Sequence, residues 1–439
     1  MSVQKSMLLA FCLVCGALAS CSSKEELLTG TRLSVLNYGE ELTPDNDALK
    51  KTIALPEPEK NTAWRQAGGT ALHLMQNPYL PSKIALAWDK SIGAGASSDN
   101  PLTAEPVVAD GIVYTMDNRG LVRAFSAENG KRLWQKRCPD EKKAEDVAAL
   151  GIGLALDDGV LFASLGTGEV VALKADNGDE IWRVSLPSPV RSAPSVYGGR
   201  LYVVTADNKL MALAEDDGRV LWHHYAFLEA VSFFTKAAPA LNKGIGVAVF
   251  PSGEVLGFRP ENGSILWSET IGTTRLNDAG AEINDIRARP VIFKDRVFVT
   301  TTGGMTAALD LKTGNVIWER EIGSFNQPWV AGNTVYILST YAELAALNAE
   351  DGKILWINRL ERWENPEKKE GRLNWTGPVM AGSRLILTNS QGNAIAVSPQ
   401  TGTIIGWDEV DSKGALPPVA ADGTLFFVTH NGKLAAYRQ

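Results

Sequence analysis

A nine-residue phrase recurs along the chain. "SAENGKRLW" ends at Trp134, "KADNGDEIW" at Trp182, "AEDDGRVLW" at Trp222, "RPENGSILW" at Trp267, "DLKTGNVIW" at Trp318 and "NAEDGKILW" at Trp356. A seventh copy, "SPQTGTIIGW", reaches Trp407 with one inserted residue. Each reads as a strand end, a tight turn and a second strand that finishes on tryptophan. Trp88, within "IALAWDKSI", extends the series upstream, and successive tryptophans lie 38 to 51 residues apart. A unit of that size with several short strands cannot bury its own apolar face, so the units must stack on one another.

A second series sets the register. "AEPVVADGIVY", "SAPSVYGGRLYVV", "AAPALNKGIGVAV", "ARPVIFKDRVFV", "NQPWVAGNTVYI", "TGPVMAGSRLIL" and "LPPVAADGTLFFV" each open with Pro at or before a strand, and "GIGLALDDGVLFA" lacks it. Proline is tolerated there because a missing N–H costs least at a strand start. Eight openings and eight tryptophans predict an all-β, eight-bladed β-propeller over residues 84–439. The last opening stops after "NGKLAAYRQ", before a fourth strand, while "IALAWDKSI" has no strands before it. The two fragments complete one blade, so the N-terminal strand is expected to close the ring and remove its open edge. An open solenoid would leave both fragments unpartnered.

Hydrophobic residues at 45% and charged residues at 21% are ordinary for a globular chain, and a net charge of −7 without a basic stripe argues against a nucleic-acid partner. Residues 1–20 place Lys5 before a short apolar run and then small residues, the pattern of a secretory signal. Cys12 and Cys15 lie inside that run and leave with it, so their C-x-x-C is no redox or zinc motif. Cys21 and Cys138 are then the cysteines that remain. Residues 21–83 show no sustained period and are expected to be a tether with at most one docked segment.

"LASC", ending at Cys21, resembles a bacterial lipoprotein box, which implies a diacylated Cys21 and a lipid anchor. An ordinary cleaved signal is the bland alternative. With Ser22 next, the resemblance implies the outer membrane, facing the periplasm. The repeated phrase resembles the tryptophan-docking motif of quinoprotein-type propellers, in which the indole packs between blades. That implies a structural role for Trp88, Trp134, Trp182, Trp222, Trp267, Trp318, Trp356 and Trp407. Of the groups sharing the motif, the chain is most similar to the BamB lipoproteins of the outer-membrane β-barrel assembly machine. The similarity spans lipobox, tether, blades and shared-blade closure. It implies a non-catalytic scaffold that binds the periplasmic POTRA repeats of BamA and other subunits of the machine, and that aids nascent barrel proteins. The alternative is a quinone-binding dehydrogenase or sensor.

No G-x-S-x-G, P-loop, H-E-x-x-H or calcium loop is present, and neither a catalytic residue, a cofactor nor a metal is expected. His223 and His224 follow Trp222 on a strand, where neighbours point to opposite faces. Function should lie in the connections between blades, four of which are long: 135–150, 223–237, 268–288 and 357–376. The BamB resemblance places partner-binding residues in two of them, at Val231, Phe233, Phe234, Asp285 and Arg287. The family's arginine is absent from the first and one of its acids is replaced by Arg287 in the second. Alternation along the first segment would turn one of Phe233 and Phe234 outward as an aromatic anchor.

Overall fold

The computed structural model describes residues 42–48, 51–97, 100–139, 153–227, 237–272, 285–409, 413–414 and 416–439. Cys21, the signal over 1–20, Val231, Phe233 and Phe234 lie outside the described residues. Eight four-stranded antiparallel sheets form the blades of a propeller, with one further two-stranded hairpin. Blade 1 comprises Val107–Ala109, Ile112–Met116, Leu121–Ser126 and Arg132–Arg137. Blades 2 to 7 follow at residues 153–185, 195–225, 240–270, 291–320, 329–359 and 375–409. Blade 8 combines Val419–Ala421, Thr424–Val428 and Lys433–Arg438 with the N-terminal strand Ala85–Ser91. That strand pairs antiparallel from Ala85 opposite Arg438 to Ser91 opposite Lys433, so the two ends of the propeller share a sheet as expected.

Within each blade, burial follows strand order. First strands such as Val107–Ala109 are wholly buried, whereas fourth strands such as Arg132–Arg137 face solvent on alternate residues. First strands therefore surround the centre and fourth strands form the rim. The expected proline immediately precedes the first strand at Pro106, Pro194, Pro239, Pro290, Pro328 and Pro418, and lies within it at Pro378. Apolar clusters span neighbouring blades rather than filling single ones, as where Tyr114 and Val122 of blade 1 pack with Leu154 and Val171 of blade 2.

The seams are closed by tryptophan. In seven blades the indole N–H donates to a carbonyl of the next blade: Trp88 to Ala127, Trp134 to Ala175, Trp182 to Glu215, Trp222 to Pro260, Trp267 to Leu311, Trp318 to Ala349 and Trp356 to Pro399. A small residue lies opposite each ring across the sheet, such as Ala346 opposite Trp356, and a β-bulge follows it. The next blade's turn glycine then lies against the ring. At Gly402, φ is +73° and a Cβ would sit 2.4 Å from Trp356, so glycine is required both by the turn and by the approaching indole.

Trp407 departs from this pattern, which corrects its expected docking role. The inserted residue puts Gly406 opposite Ala396, in the slot that Trp356 fills in blade 6, and moves Trp407 opposite Ile395. Trp407 is consequently 57% exposed, against 8% for Trp356. The receiving side is missing too. Blade 8 takes its third and fourth strands from opposite ends of the chain, so no turn connects them and no turn glycine can receive an indole.

A tether is also too loose a description of residues 51–83. Residues 59–79 form a closed loop, with the Glu59 N–H bonded to the Asn77 carbonyl and the Tyr79 N–H to the Glu59 carbonyl. The loop visits the blades in order. Asn61 bonds Ala420 of blade 8, Trp64 pairs with Val108 of blade 1, and the Arg65 carbonyl accepts from Leu156 of blade 2. The Gln66 side chain then accepts from Val196, and the Ala71 and Leu72 carbonyls accept from Leu241 and Ile292. Trp329 of blade 6 donates to Gln76, and Gly382 of blade 7 to Pro78. Most of these bonds satisfy backbone groups on first strands that have no further strand beside them. Without a period of its own, the segment gave no pattern to read; its partners are distributed over the whole ring.

His73 sits at the heart of this loop. Its Nδ1–H donates to the Pro290 carbonyl at 2.8 Å, and complete burial, reinforced by nearby Arg289, pushes its pKa down to about 3. Two outcomes follow from this packing. Trp267→Ala should lower stability by about 4 kcal/mol in denaturant unfolding, whereas Trp407→Ala should stay within about 0.5 kcal/mol of the parent. Because folding excludes a proton from His73, its contribution is complete above its unfolded pKa near 6.5 and falls away as pH drops toward 3. Between pH 7 and pH 5 this should cost about 2 kcal/mol, and unfolding midpoints of His73→Gln should fall less over that interval than those of the parent.

Candidate functional site

The connections between blades emerge on one face of the ring, where the chain leaves a rim strand and returns to the centre. Residues 140–152, 228–236 and 273–284 of the long connections lie outside the described residues. The fourth long connection folds as a hairpin of Trp363–Asn365 and Glu370–Arg372.

Beneath these connections lies a cavity of about 280 Å³, lined by residues that lead into the first strands of several blades. Ala67 of the N-terminal loop also lines it, and the smaller void beside Gly68 shares Glu105, Arg289 and Gln327 with it. The loop thus forms a floor, and the propeller's centre is a well open at the connection face. Among the described residues, five arginines line the well, Arg191, Arg287, Arg289, Arg362 and Arg372, against the single carboxylate Glu105. Arg289 is held by Glu105 at 2.7 Å and by Gln327 at 2.7 Å. Arg191 is buried, which lowers its pKa, and its Nη1 faces the Asn208 side-chain oxygen. Toward the mouth, Arg362 lies over the Tyr341 ring at 5.1 Å and Arg372 donates to the Thr340 carbonyl.

Asp285 and Arg287 come together as the sequence places them, but not in the expected setting. Asp285 is fully buried, and its carboxylate accepts from Arg287 Nε at 3.1 Å. The expectation of Asp285 as a partner-binding residue meets a side chain without exposed surface, whose carboxylate positions Arg287. Arg287 lies partly exposed in the well wall, 5.6 Å from the centre of the Phe325 ring. His223 packs edge-on against Tyr225, and among the described residues no group of three or more His, Cys, Asp or Glu could hold a metal. Cys138 is buried and free, with its thiol pushed up to about 12 by burial, which makes it a poor nucleophile.

Sequence reasoning missed Glu105, Arg191, Arg289, Arg362 and Arg372 as one group, since different blades supply them. A signal did exist. The residue before the opening proline lines the well in five blades, at Glu105, Ala193, Arg289, Gln327 and Pro417. Reading that column of the repeat would have found the centre of the site.

The fold and these residues frame three similarities to known proteins. An outer membrane protein assembly factor BamB from Yersinia pestis is 28% identical over 371 residues, covering 83% of this chain and 90% of that relative. The crystal structure of BamB from Moraxella catarrhalis superposes with a TM-score of 0.66 at 18% identity, covering 81% of this chain and 100% of that one. A quinohemoprotein alcohol dehydrogenase from Comamonas testosteroni shares the fold, with a TM-score of 0.66 at 12% identity over 86% of this chain and 80% of its own. The sequence profile of the outer membrane protein assembly factor BamB matches residues 81–148 and 118–358, and the chain belongs to that family.

Proposed function

We propose that this chain is a non-enzymatic scaffold subunit in outer-membrane barrel assembly, anchored through Cys21 and docked on BamA's periplasmic repeats by its connection face. The observation that carries this reading is the family match over residues 81–358, which includes the connections at 223–237 and 268–288. These join three consecutive blades, and the second carries the Asp285–Arg287 pair. A dehydrogenase reading has only the shared fold behind it, and no observation in the well favours it over the scaffold.

Arg287 supplies the accessible charge of the docking patch, fixed by buried Asp285, and the aromatic anchor comes from Phe233 or Phe234. Truncating such an anchor costs about 2 kcal/mol, roughly thirtyfold in affinity. Phe233→Ala with Phe234→Ala should therefore weaken binding to purified BamA repeats in a calorimetric titration more than Asp285→Ala does, with circular dichroism unchanged. Normal binding by the double variant would remove this patch from the interface.

The anchor is tested separately. Cys21→Ser should shift the protein from the washed membrane pellet to the soluble fraction while its melting curve stays that of the parent. Retention in the pellet would exclude lipid attachment at this residue.

A further inference from the structure

The arginine-lined well is more than the chain needs to hold its blades together. Glu105 matches Arg289, and Asp285 matches Arg287. Among the described residues, no carboxylate lies within ion-pair distance of Arg362 or Arg372, which flank the mouth. Both guanidinium groups are already oriented, one by the Tyr341 ring and one by the Thr340 carbonyl. A planar, pre-oriented guanidinium is suited to receive a carboxylate in a two-pronged bond.

Apolar surface stands beside this charge. Phe325 and Tyr341 are 50% and 43% exposed and line the well together with Trp375, whose indole N–H is bonded to the Glu361 carbonyl. A bare inorganic anion makes no use of aromatic walls, whereas a carboxylate on a carbon frame does. A cavity of about 280 Å³ is small for a folded element but holds one or two side chains. The floor made by residues 67 and 68 forbids threading, so an occupant must enter and leave by the mouth.

We propose that the well is a binding site for carboxylate groups presented by an extended polypeptide, an acidic residue next to an aromatic one. The acidic side chain bridges Arg362 and Arg372, and the aromatic side chain lies along Phe325 and Trp375. The site is distinct from BamA docking as a claim, because it is tested on the purified propeller with no other subunit present.

The probe is a fluorescently labelled, end-capped pentapeptide, Gly-Asp-Phe-Glu-Gly, followed by anisotropy, with Gly-Asn-Phe-Gln-Gly as its uncharged counterpart. The acidic peptide should bind saturably and weaken severalfold between 50 and 300 mM salt. Arg362→Gln with Arg372→Gln, both outside the packed blades, should weaken it at least tenfold, while the remote Arg132→Gln leaves it unchanged. Equal binding of the two peptides, or an unchanged affinity in the double variant, would overturn the site. Competition by citrate or phosphate at concentrations below those of the unlabelled acidic peptide would overturn the polypeptide source and assign the well to a small free anion. A BamA titration that fails with this assay intact would count against the docking patch alone.

Discussion

An indole lodged in the next blade's turn is the contact on which the ring depends. It combines three requirements: a small residue across the sheet, a bulge that turns the ring outward, and a glycine that leaves room for it. Its N–H then finds a carbonyl of the neighbouring blade, so a large apolar group is buried without an orphaned donor. Since no blade buries its own faces, stability is distributed over these seams rather than gathered in one core. The exception makes the rule physical. Between blades 7 and 8 both the docking slot and its receiver are altered, and blade 8 is itself closed by the pairing of Ala85–Ser91 with Lys433–Arg438.

The loop at residues 59–79 changes what a propeller of this kind presents. It crosses the turns at one end of the first strands and leaves the connection face open, converting a channel into a well. The family profile begins at residue 81, so the loop lies beyond what that profile matches. Its bonds to all eight blades give it a second role, as a belt around the innermost strands.

The blades were legible because their period is written in residues that geometry demands: glycine at a left-handed turn, proline at a strand start, tryptophan at a seam. Trp407 was misleading for a local reason, since one inserted residue reverses which face of a strand a side chain points to. The single insertion was visible in the phrase itself. The belt was not legible, because its order comes from bonds to partners between 44 and 359 residues away in eight different blades and leaves no periodic trace. The burial of Asp285 beside Arg287 was not legible, because it depends on neighbouring blades that no local spacing encodes.

The order of synthesis runs against the order of assembly here. Residues 59–79 and 85–91 are made before the blades, yet the belt rests on those later blades and the strand pairs with Lys433–Arg438, made about 350 residues later. The ring therefore closes only once Lys433–Arg438 is available, through contacts of high sequence separation, the kind that form slowly. Until then the inner strands and the unpaired edge of blade 8 stand open to other chains, so the time between synthesis and ring closure is the interval in which this fold is most exposed to misassociation.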